Sequence, residues 1–215
     1  MLLNPLLQEA LANSQAQFPD EALGVIKAAD EELHVRGVGR DALKAGDLFP
    51  DRLLQDQNGA DVSLRRLNAL GPMVVTFYRG GWCPYCNLEL RAYQNALEEI
   101  VSLGGQLVAV TPEKPDNSLS TIEKNALAFP VLTDSENGLA KALGIAFELP
   151  TSLRQLFEGF GMNLPEFNAD TGWALPVPAT FVVNENGEIV LADVDPDYTR
   201  RLEPGDALAA LRNCT

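Results

Sequence analysis

Met73-Val-Val-Thr-Phe-Tyr-Arg-Gly-Gly-Trp-Cys-Pro-Tyr-Cys86 decides the fold. Its first six residues are a β-prone, nearly continuous apolar run, the pattern of a parallel strand covered on both faces. Gly80 and Gly81 loosen the chain after the strand. Pro84 suits the first turn of a helix, where its missing N–H costs nothing. Leu88, Leu90, Leu97 and Ile100 carry that helix onward until Gly104-Gly105 stops it.

Cys83 and Cys86 therefore fall at a strand-to-helix turn. Thiolate is the reactive form of cysteine, and free N–H groups at a helix start stabilise it. Two intervening residues keep the sulfurs within reach, so the pattern predicts reversible dithiol/disulfide cycling. A structural zinc site needs about four ligands, and only His34 and Cys214 remain as soft donors, both distant in sequence. No metal is expected. Haem attachment requires His after the second cysteine, and position 87 is Asn. A pair of inert core cysteines leaves their place at the turn unexplained. His34, flanked by Glu31 and Glu32, reads as a solvated surface residue, and Cys214 as a terminal bystander or a resolving thiol for another subunit.

Outward from this stretch, Gln106 to Thr111 reads as a strand, Asn117 to Ala126 as a helix, Pro130 to Thr133 as extended and Ser135 to Leu143 as helical. Asn186-Gly187 marks a hairpin between strands 181–184 and 188–192, and Asn58-Gly59 marks another after Leu53-Leu54. The acidic run Asp193, Asp195 and Asp197 reads as a solvated loop, and a last helix begins near Pro204. The fold class is α/β, a mixed central sheet flanked by helices. Leu7, Leu11, Leu23, Ile26 and Leu33 put helices before Gly37-Val38-Gly39, with a break at Phe18-Pro19. This divides the chain into a helical N-terminal extension, 1–40, and a domain, 41–215. An insertion at about 147–173 interrupts the alternation. Its Leu153, Leu156, Phe157 and Phe160 stripe fits a packed insertion, a flap over the site or a dimer contact.

The 215 residues are 46% apolar, enough for a sizeable core, and carry 16 Lys+Arg against 30 Asp+Glu, a net charge of −14. That charge repels phosphate backbones and anionic lipid, so neither nucleic acid nor a membrane is an expected partner. The first residues lack a basic start and an unbroken apolar centre, which points to the cytoplasm. Three cysteines rule out a disulfide-stapled scaffold.

Gly46-Asp-Leu-Phe-Pro50, Leu54-Gln-Asp-Gln-Asn-Gly59, Val62-Ser-Leu64, Val74-Val-Thr-Phe-Tyr78 and Ala179-Thr-Phe-Val-Val183 resemble the peroxiredoxin pattern. This is the alkyl hydroperoxide reductase/thiol-specific antioxidant family of the thioredoxin-like superfamily. Phe77 to Cys86 and Leu175-Pro-Val-Pro-Ala-Thr-Phe181 look like its branch with a Cys-Pro-Tyr-Cys pair. The resemblance implies a thioredoxin-like fold, no cofactor, and a peroxidase for hydrogen peroxide or organic hydroperoxides. It also implies recharging by a thioredoxin-like donor or glutathione, and homodimers as a common assembly.

In the peroxiredoxin register Cys86 is the attacking residue, and Cys83 replaces the usual threonine. In the thioredoxin register Cys83 attacks and Cys86 resolves; we favour Cys83, as the more exposed thiol at the helix start. Pro178 stands where peroxiredoxins present an arginine, and resembles the cis-proline that lies against a thioredoxin disulfide. Arg79 is then the candidate donor to peroxide, and Trp82 a shield. The Pro84-Tyr85 dipeptide resembles glutaredoxin, which keeps a thiol–disulfide oxidoreductase without peroxidase activity as the alternative. A redox-switched binding protein is a third reading.

Overall fold

Burial of both faces explains why the central run is apolar almost throughout. In the computed structural model, which describes residues 2–214, Met73–Phe77 forms a strand with every residue buried. Val74 faces one core with Tyr78, whereas Met73, Val75 and Phe77 face another. The strands, in chain order, are β1 (Leu53–Gln55), β2 (Asp61–Ser63), β3 (Met73–Phe77), β4 (Gln106–Thr111), β5 (Val131–Thr133), β6 (Ala146–Glu148), β7 (Ala174–Pro176), β8 (Ala179–Val183) and β9 (Ile189–Val194). Seven of them form one sheet in the order β2-β1-β5-β4-β3-β8-β9. β3 runs parallel to β4 and antiparallel to β8, and β4 runs parallel to β5. The sheet is mixed, as its sequence implies.

The helices are α1 (Leu3–Gln17), α2 (Asp20–Val35), α3 (Leu64–Asn68), α4 (Pro84–Ser102), α5 (Pro115–Asn125), α6 (Gly138–Ala142), α7 (Thr151–Gly159), α8 (Leu164–Phe167) and α9 (Pro204–Arg212). None of the described helices is long and apolar enough to cross a membrane. Residues preceding proline disfavour the helical region, and Phe18 is extended (ψ 142°), which separates α1 from α2. The start of α1 is held from the far end of the chain: the Leu3 and Asn4 N–H groups donate to the Glu203 carboxylate at 2.9 and 2.7 Å. α1 and α9 pack on α4, and α2 packs on α7.

Several elements depart from the sequence reading. β9 continues to Val194, so Asp193 belongs to a strand rather than to the acidic loop. Ser135–Asn137 is a 3₁₀ turn, and α6 begins only at Gly138. The segment around 147–173 is pinned at its base, because β6 and β7 pair antiparallel as a second small sheet. These strands are three residues each, too short to show periodicity. There is no cis peptide bond among the described residues, so Pro178 is trans. It is a buried link between β7 and β8.

Candidate active site

Residues 78–82 join β3 to α4 across a tightly packed loop. A Cβ on Gly81 would lie 2.2 Å from Thr121 Oγ1, and one on Gly80 would lie 2.2 Å from Trp82 Nε1, so neither position has room for a side chain. Asn87 fastens the loop to the helix. Its Nδ2 donates to the carbonyls of Gly81 and Cys83, each at 2.8 Å, while its Oδ1 accepts from Asn125 Nδ2 at 2.7 Å. Cys83 is the N-cap of α4, Pro84 opens the first turn and Cys86 lies within it. Both cysteines are free thiols.

Two guanidinium groups converge on the sulfurs. Arg79 Nη2 donates to Cys83 Sγ at 3.2 Å, and Arg201 Nη2 donates to Cys86 Sγ at 3.4 Å. Arg201 Nε also pairs with Glu89 Oε2 at 2.6 Å, and its Nη1 donates to the carbonyls of Tyr198 and Arg200. Glu89 Oε1 accepts from Thr76 on β3 at 3.0 Å, and Thr76 in turn accepts from Thr180 on β8 at 3.3 Å. The buried polar row thus runs from the middle of the sheet to the thiols, with each carboxylate oxygen partnered.

The two thiols are driven in opposite directions. Burial opposes the Cys83 thiolate, but the hydrogen bond from Cys86 and the charges of Arg79 and Arg201 together hold it well below the ordinary thiol range. Burial, the hydrogen bond to Cys83 and the neighbouring thiolate charge push Cys86 well above it, with both arginines pulling the other way. Burial alone would lower Arg201, yet Glu89 and the cysteines raise it, so it stays charged. The surroundings thus favour the thiolate form at Cys83 and the thiol form at Cys86.

Aromatic side chains roof the pair. Arg79 stacks 4.3 Å from the centre of the Tyr198 ring and 5.2 Å from that of Trp82. Trp82 meets Phe157 of α7 edge-on at 5.7 Å, and Tyr85 meets Tyr198 at 5.5 Å. Ile26 and Ala29 of α2 join the same apolar cluster as Trp82 and Phe157. Under this cover Cys83 is fully buried, as is Cys86. Cys83 is therefore not the more exposed thiol; α2, α7 and the aromatic rings take away the access that a bare helix terminus would give it.

The structure also brings in residues that the sequence did not single out. One is Arg201, the second guanidinium at the thiols, from the segment after β9 and 112 residues from its Glu89 partner. No local pattern points to it. Glu89 had a signal, since it follows Cys86 by three residues and so shares its helix face. Glu113 accepts from Gly81 N–H at 2.9 Å and was not anticipated. His34 is exposed and remote in role, while Cys214 is half-buried and donates to Ala210 O at 3.4 Å. No group of three or more His, Cys, Asp or Glu able to hold a metal occurs among the described residues.

Residues 45–192 match the AhpC/TSA family model. Among curated relatives, the thiol-disulfide oxidoreductase ResA of Halalkalibacterium halodurans is 24% identical over 152 residues, covering 70% of this chain and 69% of that protein. Peroxiredoxin Bcp of Escherichia coli K12 is 27% identical over 103 residues, covering 48% of this chain and 65% of that protein. Among solved structures, peroxidoxin BcpB from Mycobacterium tuberculosis superposes with a TM-score of 0.63 at 21% identity, over 80% of this chain and 99% of that one. The fold is therefore that of the thioredoxin-like peroxiredoxins.

Proposed function

The chain belongs to the AhpC/TSA family, and from that premise we propose that it is a thiol-dependent peroxidase in which Cys83 attacks and Cys86 resolves. The assignment of roles rests on the place of Cys83 at the N-cap of α4 with Arg79 donating to it at 3.2 Å, an environment that pushes its thiol well below the ordinary range while that of Cys86 is pushed above it. The thiolate attacks one peroxide oxygen, the O–O bond breaks, and Cys83 becomes a sulfenic acid as alcohol or water leaves. Cys86 then displaces that hydroxyl, forming the disulfide and releasing water. Arg79 and Arg201 place donors where charge develops on the oxygens, the task that threonine and arginine perform in the resembling family.

Burial favours a small first substrate. A peroxide reaches a sulfur beneath Trp82 and Tyr198, whereas a protein disulfide needs an exposed thiol to attack, so we set the oxidoreductase alternative second. Recharging requires the opposite. A thioredoxin-like or glutathione donor in the cytoplasm reaches the disulfide once the α7 segment and the 1–40 extension move off it.

Stopped-flow oxidation of the reduced protein by hydrogen peroxide, followed through tryptophan fluorescence, tests this reading with dithiothreitol as the control thiol. Wild type reacts orders of magnitude faster than the control. Cys86→Ser stops at a sulfenic acid that dimedone traps, and Cys83→Ser reacts only at the control's pace. Full-speed oxidation of Cys83→Ser would transfer the attacking role to Cys86.

A further inference from the structure

Glu113, a buried carboxyl just beyond β4, has no part in the thiol chemistry above. It is 2% exposed and has no ion-pair partner among the described residues. One oxygen accepts from the Gly81 N–H at 2.9 Å. The other lies over Gly80, where a Cβ would come within 2.8 Å of it and 2.2 Å of Trp82 Nε1. That indole N–H is itself a buried donor without an acceptor among the described residues. A buried donor left unpaired costs about 1–3 kcal/mol, so its persistence points to an oxygen it meets in use.

We propose that Glu113 delivers the proton to the oxygen that departs when Cys83 opens the peroxide bond, with the Trp82 indole N–H, which meets the same Gly80, as a second donor to that oxygen. This rests on the peroxidase reading. The Cys83 sulfur gives two electrons to the near oxygen and forms the S–O bond as the O–O bond breaks. The bonding pair leaves on the far oxygen, which takes the carboxyl proton and departs as water or alcohol. Sulfur is oxidised by two electrons and the peroxide reduced by two. One negative charge passes from Cys83 to Glu113, so the buried site gains none, and the carboxylate regains its proton from solvent.

The charges around Glu113 agree with this role. Burial first, and then the Cys83 thiolate, lift its carboxyl to about 7, with the Gly81 N–H pulling the other way. Tyr78, at the end of β3, feels the Glu113 charge and is itself pushed up by burial. The nearby Lys114 ammonium is turned to the Glu166 carbonyl at 2.9 Å. Protonated Glu113 and ionised Cys83 thus coexist near neutrality.

The test compares two oxidants on wild type and Glu113→Gln, in which the amide oxygen still accepts from Gly81. Hydrogen peroxide expels a group that needs a proton, and peracetic acid expels acetate, which does not. General acid catalysis contributes about 10²–10⁴-fold, so the variant should lose about 100-fold with hydrogen peroxide and less than about threefold with peracetic acid. In wild type, the hydrogen peroxide rate should fall relative to the peracetic acid rate as pH rises through about 7, and the variant should lack this limb. Equal slowing with both oxidants, no slowing, or a flat wild-type ratio overturns the proposal. Should the variant fail to fold by circular dichroism, the wild-type ratio decides alone. Failure of the peroxidase reading looks different: wild type then reacts with both oxidants no faster than dithiothreitol, and both ideas fall together.

Discussion

Replacing Arg201 by Met probes the polar row beneath the thiols. The Arg201 and Glu89 side chains are 2% and 1% exposed and meet at 2.6 Å. Met retains much of the stem's bulk but removes the charge, leaving Glu89 with the Thr76 hydroxyl at 3.0 Å. Removing one partner of a buried pair costs about 3–5 kcal/mol, because the survivor is left uncompensated. The lost bonds to the Tyr198 and Arg200 carbonyls add about 1 kcal/mol each at most, since water can replace part of them. The pH dependence identifies the dominant effect. Burial already pushes the Glu89 carboxyl up, with Arg201 opposing. Without Arg201 the folded variant holds a proton that the unfolded chain releases above about pH 4.3. Stability then falls by about 1.4 kcal/mol per pH unit until the folded carboxyl itself ionises.

Urea unfolding in reducing buffer should show a gap to wild type of about 1–2 kcal/mol near pH 5 that widens to about 3–5 kcal/mol by pH 8. Adding Glu89→Gln should recover most of the loss at pH 8, because a neutral amide needs no counter-charge. A gap that ignores pH and survives in the double variant would refute the reasoning and assign the loss to packing and the two carbonyls.

Two further outcomes can be checked on the same protein. The Glu113 carboxyl is raised from 4.5 to about 7, so its protonated form contributes stability that is fully present below pH 4.5 and lost as pH rises through 7. Glu113→Gln should therefore gain about 3 kcal/mol on wild type between pH 4 and pH 9 in urea unfolding. Arg79→Met removes the donor to Cys83 and the charge over Tyr198. The thiolate absorbance of Cys83 should then appear at higher pH than in wild type, and peroxide oxidation at neutral pH should slow accordingly.

Everything the sequence determined by itself about this protein depends on local rules. The nearly continuous apolar run through Val74, Val75 and Phe77 reports a strand covered on both faces, and β3 is buried throughout. Asn58-Gly59 and Asn186-Gly187 mark hairpins because glycine takes the left-handed conformation they require, with φ of +77° and +81°. Pro84 and Pro204 locate helix starts because a first-turn residue needs no N–H, and Phe18-Pro19 marks the break between α1 and α2. The Cys83–Cys86 spacing, with a helix behind it, is a local pattern too, and the dithiol cycle proposed above starts from it.

Tertiary structure decided who surrounds the thiols. Arg201 reaches Glu89 across 112 residues and Glu113 reaches Gly81 across 32. Such meetings depend on how β9, β4 and α4 stack, which no spacing along the chain records. The same holds for the burial of Cys83, since α2 and the α7 segment, far apart in sequence, meet over it through Trp82 and Phe157. Local pattern sets which elements form, because neighbours in sequence share one backbone geometry. Packing alone sets which charges face one another, and at this site those charges push the two thiols in opposite directions.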